Sequence, residues 1–333
     1  MIPLRQGLRR PSHVFATAVA LTGVFLSEHG HVRARAQTSS KVLEELVHVR
    51  ADDGITNGGA LFSPTKDVAK PIAIVWIHGS GVNFYYPTYV KIGRELAARG
   101  FAFIAANTRM HDLGTVAAGV DGGNRIRGGA YWGRYSDQAR DIAAWIALAN
   151  ERGFKKVVLA GHSAGTTAIQ TYQAEKQDAR VAGLVLASGR FQPVTTPTDQ
   201  EMLAQAARLV AEGRGEELLH YPNRTTPSFV SATTFLDLAQ WLPKDFFGVQ
   251  TADAPIARIR CPILAWFGTD EADVGTAADL DLLKSTVKRL TAGPERVDTL
   301  MIQGAGHMYD GHEAAVADVL SKWMETLLAR RGA

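Results

Sequence analysis

The chain has 333 residues, of which 46% are hydrophobic, a size and composition that favour one large globular domain with room for an inserted lobe. The net charge is +3, but the first 36 residues contribute +4 through five arginines and one glutamate, so the rest of the chain carries −1. This balance gives no reason to expect a nucleic-acid or anionic-membrane partner. Cys261 is the only cysteine, which excludes an internal disulfide and a cysteine-based metal site.

The N-terminal segment has the order of regions found in a secretory signal peptide. Three arginines lie within the first ten residues, an almost entirely apolar run covers residues 14–26, and Ala34-Arg35-Ala36 is a small-x-small cleavage pattern. This order predicts a signal peptide over residues 1–36, cleaved after Ala36, and a secreted or periplasmic mature protein. The apolar run is shorter than the roughly 20 residues of a spanning helix, so no stable membrane span is expected after cleavage. An uncleaved anchor is the alternative.

Strand-like and helix-like patterns then alternate along the chain. Residues 41–50 and 59–62 predict two opening strands, and the run at 71–77 is continuously apolar, as expected of a strand buried on both faces. Further strands are predicted over residues 101–106, 157–160, 181–187, 263–267 and 297–302. Amphipathic patterns predict helices over residues 89–99, 136–151, 164–175 and 201–212, one that begins near residue 276, and a final one that contains residues 316–327. This alternation implies an α/β fold with a mainly parallel, eight-stranded sheet covered by helices on both faces.

Two segments interrupt the alternation. Residues 110–132 are rich in glycine and predict a long loop. Residues 191–259 contain helical pieces but no buried strand, which predicts a helical lid inserted after a sheet strand. We therefore expect one domain over residues 37–333 with a lid at about 191–259. The aromatic and apolar residues of the lid either face a substrate or pack the lid against the body.

Residues Gly161-His162-Ser163-Ala164-Gly165 match G-x-S-x-G, a pattern that presents a nucleophilic serine when a strand precedes it and a helix follows. Both are predicted here. The glycines let the backbone bend sharply and leave the serine oxygen accessible. Ser163 is thus the candidate nucleophile, and the Ala164 N–H is a candidate donor to an oxyanion. A polar serine in a tight loop is the alternative, because a chance match has odds of about one in ten in a chain of this length.

A second oxyanion donor is expected in the loop after the predicted strand 71–77. That loop reads His78-Gly79-Ser80-Gly81, so Ser80 or Gly81 can present the N–H. A simple glycine turn is the alternative. A phosphate-binding loop is disfavoured because neither G-K-[ST] nor a complete G-x-G-x-x-G pattern is present.

A base and an acid are expected later in the chain, each directly after a strand. His307 lies in the loop Gln303–Tyr309 after the last predicted strand, which favours it as the base over His111 and His312. The acid is expected in the loop 268–275, where Asp270 lies at the usual distance from the strand end. Asp273 remains the alternative, and His162 is expected to support the serine turn.

These motifs, in this order and at these strand ends, resemble the α/β-hydrolase superfamily over essentially the whole mature chain. The resemblance implies Ser163 as nucleophile, His307 as base, Asp270 or Asp273 as acid, and no metal or cofactor. The lid sequence AARLVAEGRGEELLHYP, followed by TTFLDLAQWLPKDFFG, resembles a mainly fungal hydrolase family that includes siderophore esterases. Gly268-Thr269-Asp270-Glu271 resembles the acid loop of that family and favours Asp270.

The function predicted from these residues is hydrolysis of a small-molecule carboxylic ester through an acyl-enzyme on Ser163. The same residues can cleave amides or thioesters, so an amidase, peptidase or thioesterase is one alternative. A non-catalytic ligand-binding protein on the same fold is another, although a binding protein has no need of the three catalytic residue types in order.

Overall fold

The structure, a computed structural model, describes residues 42–65, 70–118, 125–190, 197–220, 228–241, 245–272 and 274–330. The predicted signal peptide lies outside these ranges and stays a prediction. Among the helices within these ranges, none is both long enough and apolar enough to cross a membrane.

Twelve strands are formed by the described residues. In chain order they are β1 (Val42–Arg50), β2 (Thr56–Pro64), β3 (Ile72–Ile77), β4 (Ala102–Ala106), β5 (Thr115–Ala118), β6 (Arg125–Gly128), β7 (Lys156–His162), β8 (Val181–Ala187), β9 (Leu218–His220), β10 (Phe229–Ser231), β11 (Ile263–Gly268) and β12 (Val297–Ile302). The helices of the same part of the chain are α1 (Pro87–Ala98), α2 (Gln138–Glu151), α3 (Ala164–Lys176), α4 (Pro197–Ala211), α5 (Ala232–Trp241), α6 (Ala277–Arg289) and α7 (Glu313–Ala329).

Eight of these strands form one sheet in the order β1-β2-β4-β3-β7-β8-β11-β12. The pairs β1–β2 and β2–β4 are antiparallel, and all other pairs in the sheet are parallel. The eight strands predicted from the sequence are these eight, so the predicted fold class is confirmed. Because β3, β7, β11 and β12 run in the same direction, the loops that follow them meet at one edge of the sheet.

Helices cover both faces of the sheet and create two cores. One core includes Ile142 and Trp145 of α2, Ile169 of α3 and Leu283 of α6. The other joins α1 and α7 to the opposite face. The central strands are buried along their whole length, since every residue of β3, β4, β8 and β11 is buried. These buried strands fix the edge of the sheet at which the loops that follow them lie.

The two interrupting segments contain short hairpins that the sequence patterns do not predict. The expected loop over residues 110–132 contains the antiparallel pair β5–β6. The segment expected to form a lid contains α4, α5 and the pair β9–β10, in which Leu219 and Val230 are buried. The expectation of no buried strand in the lid is therefore wrong, because a strand of three residues is too short to show a periodic pattern.

Packing accounts for most of the apolar lid residues. Phe235 and Leu238 lie in a small core that α4, α5, β9 and β10 form among themselves. Phe246 and Phe247 join the main core beside α2 and α3. Phe229 is exposed. Phe235, Leu238, Phe246 and Phe247 therefore pack against other residues of the protein, which is one of the two roles expected for the apolar side chains of this segment.

Candidate active site

Ser163 lies at a sharp turn between β7, which ends at His162, and α3, which begins at Ala164. Its φ of 52° and ψ of −121° place it outside the regions that residues other than glycine normally occupy. A Cβ atom on Gly165 would lie 2.6 Å from the carbonyl oxygen of Ile77 and 2.7 Å from that of His78. Glycine is therefore required there, and the turn packs directly on the loop after β3.

The loop after β3 brings Ser80 next to this turn. A Cβ atom on Gly79 would lie 3.1 Å from the Cβ of Ser163. Ser80 and Ala164 line the same small cavity. Among the described residues, neither the Ser80 N–H nor the Ala164 N–H donates a hydrogen bond to a carbonyl or side chain. Both predicted oxyanion donors are thus available at the same place beside Ser163.

His307 lies in the loop after β12 and pairs with a carboxylate that the sequence did not single out. Its Nδ1–H donates to Oε2 of Glu271 at 2.7 Å. The His307 side chain is 34% exposed, whereas that of Glu271 is 1% exposed. A neutral histidine with Nδ1 protonated keeps Nε2 free to accept a proton.

The prediction of Asp270 as the partner of His307 is wrong, because Glu271 makes this contact. Asp270 is exposed, its backbone N–H donates to the carbonyl of Ala305, and its carboxylate accepts a hydrogen bond from Thr269. Asp273 lies outside the described residues. Glu271 is the residue of the loop that turns inward, and its longer side chain reaches His307. The loop offers three neighbouring carboxylates, so a sequence pattern alone does not distinguish them.

Glu271 is fixed by a buried set of donors. Its Oε1 accepts hydrogen bonds from the Gly268 N–H and the Ser188 hydroxyl. The Ser188 oxygen in turn accepts one from the Tyr309 hydroxyl, and burial raises the pKa of Tyr309. Ser188 and Tyr309 have φ values of 52° and 58°, so strained backbone occurs at these two residues as well as at Ser163. This set orients the carboxylate toward His307.

A second buried chain of hydrogen bonds connects the loops that carry Ser80, Ser163 and His307. The Gly79 N–H donates to the Tyr89 hydroxyl at 3.3 Å, and that hydroxyl donates to Nδ1 of His162 at 2.7 Å. The Nε2–H of His162 donates to the carbonyl of His307 at 2.8 Å. Burial lowers the pKa of His162 to about 3, so its ring stays neutral and keeps this donor–acceptor order. His162 therefore supports the serine turn by linking the Tyr89 hydroxyl to the carbonyl of His307.

His78 fixes the other side of the loop after β3. Its Nδ1–H donates to the carbonyl of Gly79 at 2.7 Å, and its Nε2 accepts the Thr108 N–H at 3.1 Å. Burial lowers the pKa of His78 to about 4, so this ring is also neutral. In the described part of the chain, no group of three or more His, Cys, Asp or Glu side chains is arranged to hold a metal ion.

Comparisons with known proteins agree with this architecture. A family model described as "Alpha/beta hydrolase family" matches residues 74–319. Est1E from Butyrivibrio proteoclasticus with ferulic acid bound has a TM-score of 0.57 and 18% identity, over 85% of this chain and 99% of that chain. A malate-bound thermophilic esterase from Thermogutta terrifontis has a TM-score of 0.51 and 18% identity, over the same shares.

A third solved structure, DcsB in complex with its substrate analogue, has a TM-score of 0.63 and 15% identity, over 85% of this chain and 99% of that chain. Similarity at these levels of identity shows a shared fold. No curated protein sequence matches this chain at a significant level.

Proposed function

Because the chain belongs to the alpha/beta hydrolase family, we propose that it is a serine hydrolase that cleaves a carboxylic ester through an acyl-enzyme on Ser163. The observation that carries this proposal is the buried Glu271 paired with His307 at 2.7 Å, at the sheet edge where Ser163 occupies its strained turn. Esterases are among the proteins of similar fold, which agrees with an ester as the substrate.

In the first half of the reaction, the Ser163 hydroxyl attacks the ester carbonyl while Nε2 of His307 takes its proton. Glu271 accepts the hydrogen bond from Nδ1–H and stabilises the imidazolium that forms. The tetrahedral oxyanion is held by the N–H groups of Ser80 and Ala164, and losing one such donor typically costs about 2.7–4 kcal/mol of transition-state stabilisation. His307 then returns the proton to the departing alcohol oxygen.

In the second half, a water molecule attacks the acyl-enzyme and His307 acts again as the base. The proton passes to His307, the tetrahedral intermediate collapses, and Ser163 regains its hydrogen as the acid leaves. The groups that act in the two halves are the same, so loss of Ser163 or His307 is expected to remove both.

The test is turnover of an activated short-chain ester by wild type, Ser163→Ala and Ser285→Ala. Ser285 is an exposed serine of α6 and serves as the matched control. We expect Ser163→Ala to lose turnover and Ser285→Ala to retain it. Turnover by Ser163→Ala at the wild-type rate would contradict the proposal. A panel of matched esters, thioesters and anilides then separates an esterase from a thioesterase or an amidase.

We also propose that the protein is exported and cleaved after Ala36. The arginines of the first ten residues, the apolar run that follows them and the Ala34-Arg35-Ala36 pattern support this. Intact mass spectrometry of the protein recovered from a secreting host is expected to give a chain that begins at Gln37. A chain that retains its first 36 residues would contradict it.

A further inference from the structure

The strand β1 lies at one edge of the eight-stranded sheet, with β2 on one side and no described strand on the other. It is nine residues long, and it pairs with β2 over its whole length without a bulge. Between Leu43 and Val49, the described residues give the backbone of β1 no hydrogen bond outside this ladder. Alternate residues of an antiparallel strand point their N–H and C=O groups away from the neighbouring strand. The outer edge of β1 can therefore pair with a further strand.

Two leucines of β1 are exposed, and they lie on opposite faces of the sheet. Leu46 is 68% exposed, more than any other large apolar side chain in the described ranges, and Leu43 is 52% exposed. Leu46 lies at the middle of the strand, with no proline or bulge within β1. Edge strands that face water are normally protected by proline, a bulge, a covering element or charged side chains. The exposed leucines therefore indicate an edge that another strand covers, provided that the charged residues of β1 allow it.

The two acidic residues of β1 are already paired with arginines of the flanking helices. Arg94 of α1 donates to the two carboxylate oxygens of Glu44 at 2.7 and 2.9 Å. Arg152, at the end of α2, donates to the two oxygens of Glu45 at 2.6 Å each. Each carboxylate is thus held next to a helix, and its charge is balanced within the chain. These acids therefore do not keep a further strand away from the edge.

The charged residues of β1 are arranged so that the strand is complementary to a reversed copy of itself. Its sequence reads VLEELVHVR, with Glu44 and Glu45 in the first half and His48 and Arg50 in the second. An antiparallel copy places the acidic half of each strand beside the basic half of the other. A parallel copy would place acids opposite acids, and like charges directly opposite each other destabilise a sheet. The charge pattern therefore favours a second copy of this chain, in antiparallel orientation, as the partner of the edge.

We propose that the outer edge of β1 is a dimer interface, at which β1 of one protomer pairs in antiparallel orientation with β1 of its partner. The sheet then continues through both protomers, and main-chain hydrogen bonds between the two strands provide much of the contact. The loops that carry Ser163 and His307 lie outside this interface, because β2, β4 and β3 separate β1 from β7. The dimer is therefore independent of the proposed ester hydrolysis.

The side chains of β1 also select the register of the two strands. A twofold axis perpendicular to the sheet opposes residues that share a face, and each contact occurs twice. An axis at Leu46 opposes Leu46 to the partner's Leu46, and Glu44 to the partner's His48. It also opposes Leu43 to the partner's Val49, so both exposed leucines meet apolar side chains. An axis one or two positions earlier would oppose two carboxylates, which favours the axis at Leu46.

The test is sedimentation equilibrium of the purified protein over a dilution series, with wild type, Leu46→Lys and Val116→Lys. Val116 is the matched control, because it is a 55% exposed apolar residue of β5, which belongs to a separate two-stranded sheet. Wild type and Val116→Lys are expected to form dimers that dissociate on dilution. Leu46→Lys removes the apolar contact and places two positive charges on the axis. We expect it to raise the dimer Kd at least about 10-fold.

Cysteine cross-linking tests the register directly. Leu46→Cys is made in a Cys261→Ala background, so that the introduced thiol is the only one in the chain. Directly opposed residues of an antiparallel pair have Cβ atoms about 4.5–5.5 Å apart, which a short bismaleimide can span. We expect covalent dimers from Leu46→Cys and none from Val116→Cys at the same protein concentration.

Three results would overturn the inference. The first is a wild type that stays monomeric throughout the dilution series, and the second is a dimer whose Kd is unchanged in Leu46→Lys. The third is an equal yield of covalent dimers from Leu46→Cys and Val116→Cys, which would reflect random collisions. Circular dichroism verifies that each variant is folded, as expected for substitutions at exposed positions. All three results are read from molecular mass alone, so a failure of the proposed ester hydrolysis does not affect them.

Discussion

Replacing Glu271 with glutamine keeps the shape of the side chain but removes its charge and one of its two acceptor oxygens. Three donors point at the carboxylate: the His307 Nδ1–H on Oε2, and the Gly268 N–H and Ser188 hydroxyl on Oε1. A glutamine side chain has one acceptor oxygen, which can face either His307 or the pair of donors on Gly268 and Ser188. We expect that oxygen to face Gly268, because a backbone N–H cannot turn away.

The amide NH2 of the variant then faces Nδ1 of His307 and shifts the ring proton to Nε2. In that tautomer His307 cannot accept a proton from Ser163. The equivalent change in a well-studied catalytic triad lowers kcat about 10⁴-fold. We expect a loss of about 10³- to 10⁴-fold here, or roughly 4–5.5 kcal/mol at about 1.36 kcal/mol per tenfold.

The assay is kcat and KM on an activated ester at neutral pH, with Asp270→Asn as the matched control. Asp270 is exposed and its carboxylate is bonded to Thr269, so its activity is expected to stay within about twofold of wild type. Thermal unfolding of both variants verifies that they are folded. An inactive Asp270→Asn beside a fully active Glu271→Gln would refute the assignment of the acid.

Three further predictions concern the groups around the site. Tyr89→Phe breaks the chain from Gly79 to His162, and kcat is expected to fall about 10-fold with a smaller change in KM; an unchanged kcat would argue against this support. Burial lowers the pKa of His162 to about 3 and of His78 to about 4. The unfolded chain therefore binds more protons below about pH 6.5, and stability falls as pH drops from there toward 4, by up to about 1.4 kcal/mol per pH unit for each histidine. Urea unfolding at pH 7.5 and 5 measures this, and equal midpoints would contradict it. Gly165→Ala is expected to destabilise the protein by about 2 kcal/mol or more because of its contacts with Ile77 and His78, whereas Gly58→Ala, with its nearest contact at 3.8 Å, is expected to be milder in the same melting assay.

The main sheet could be predicted from the sequence because its central strands are buried on both faces. Such strands appear as continuous apolar runs, and each predicted run is a strand of the sheet. The place of Ser163 and His307 at one edge follows from the same pattern, since parallel strands bring their following loops together. The short strands β5, β6, β9 and β10 could not be predicted in this way, because they do not appear as continuous apolar runs.

The partner of His307 could not be predicted in the same way. Asp270 and Glu271 are neighbours in one loop, and their roles differ because Ser188 and Gly268 bind the second carboxylate while solvent surrounds the first. The contact with Ser188 joins residues 83 positions apart and depends on the folded chain. The resemblance of the lid to a mainly fungal family stays a prediction.

The most direct test of the central claim is covalent labelling of the folded wild-type protein with a fluorophosphonate, followed by peptide mass spectrometry. Serine hydrolases react with such probes at the activated nucleophile. We predict one adduct per chain, located on Ser163 and absent from Ser163→Ala and from Glu271→Gln at short reaction times. A folded protein that takes up no label on Ser163, or one that labels equally in Ser163→Ala, would contradict the account.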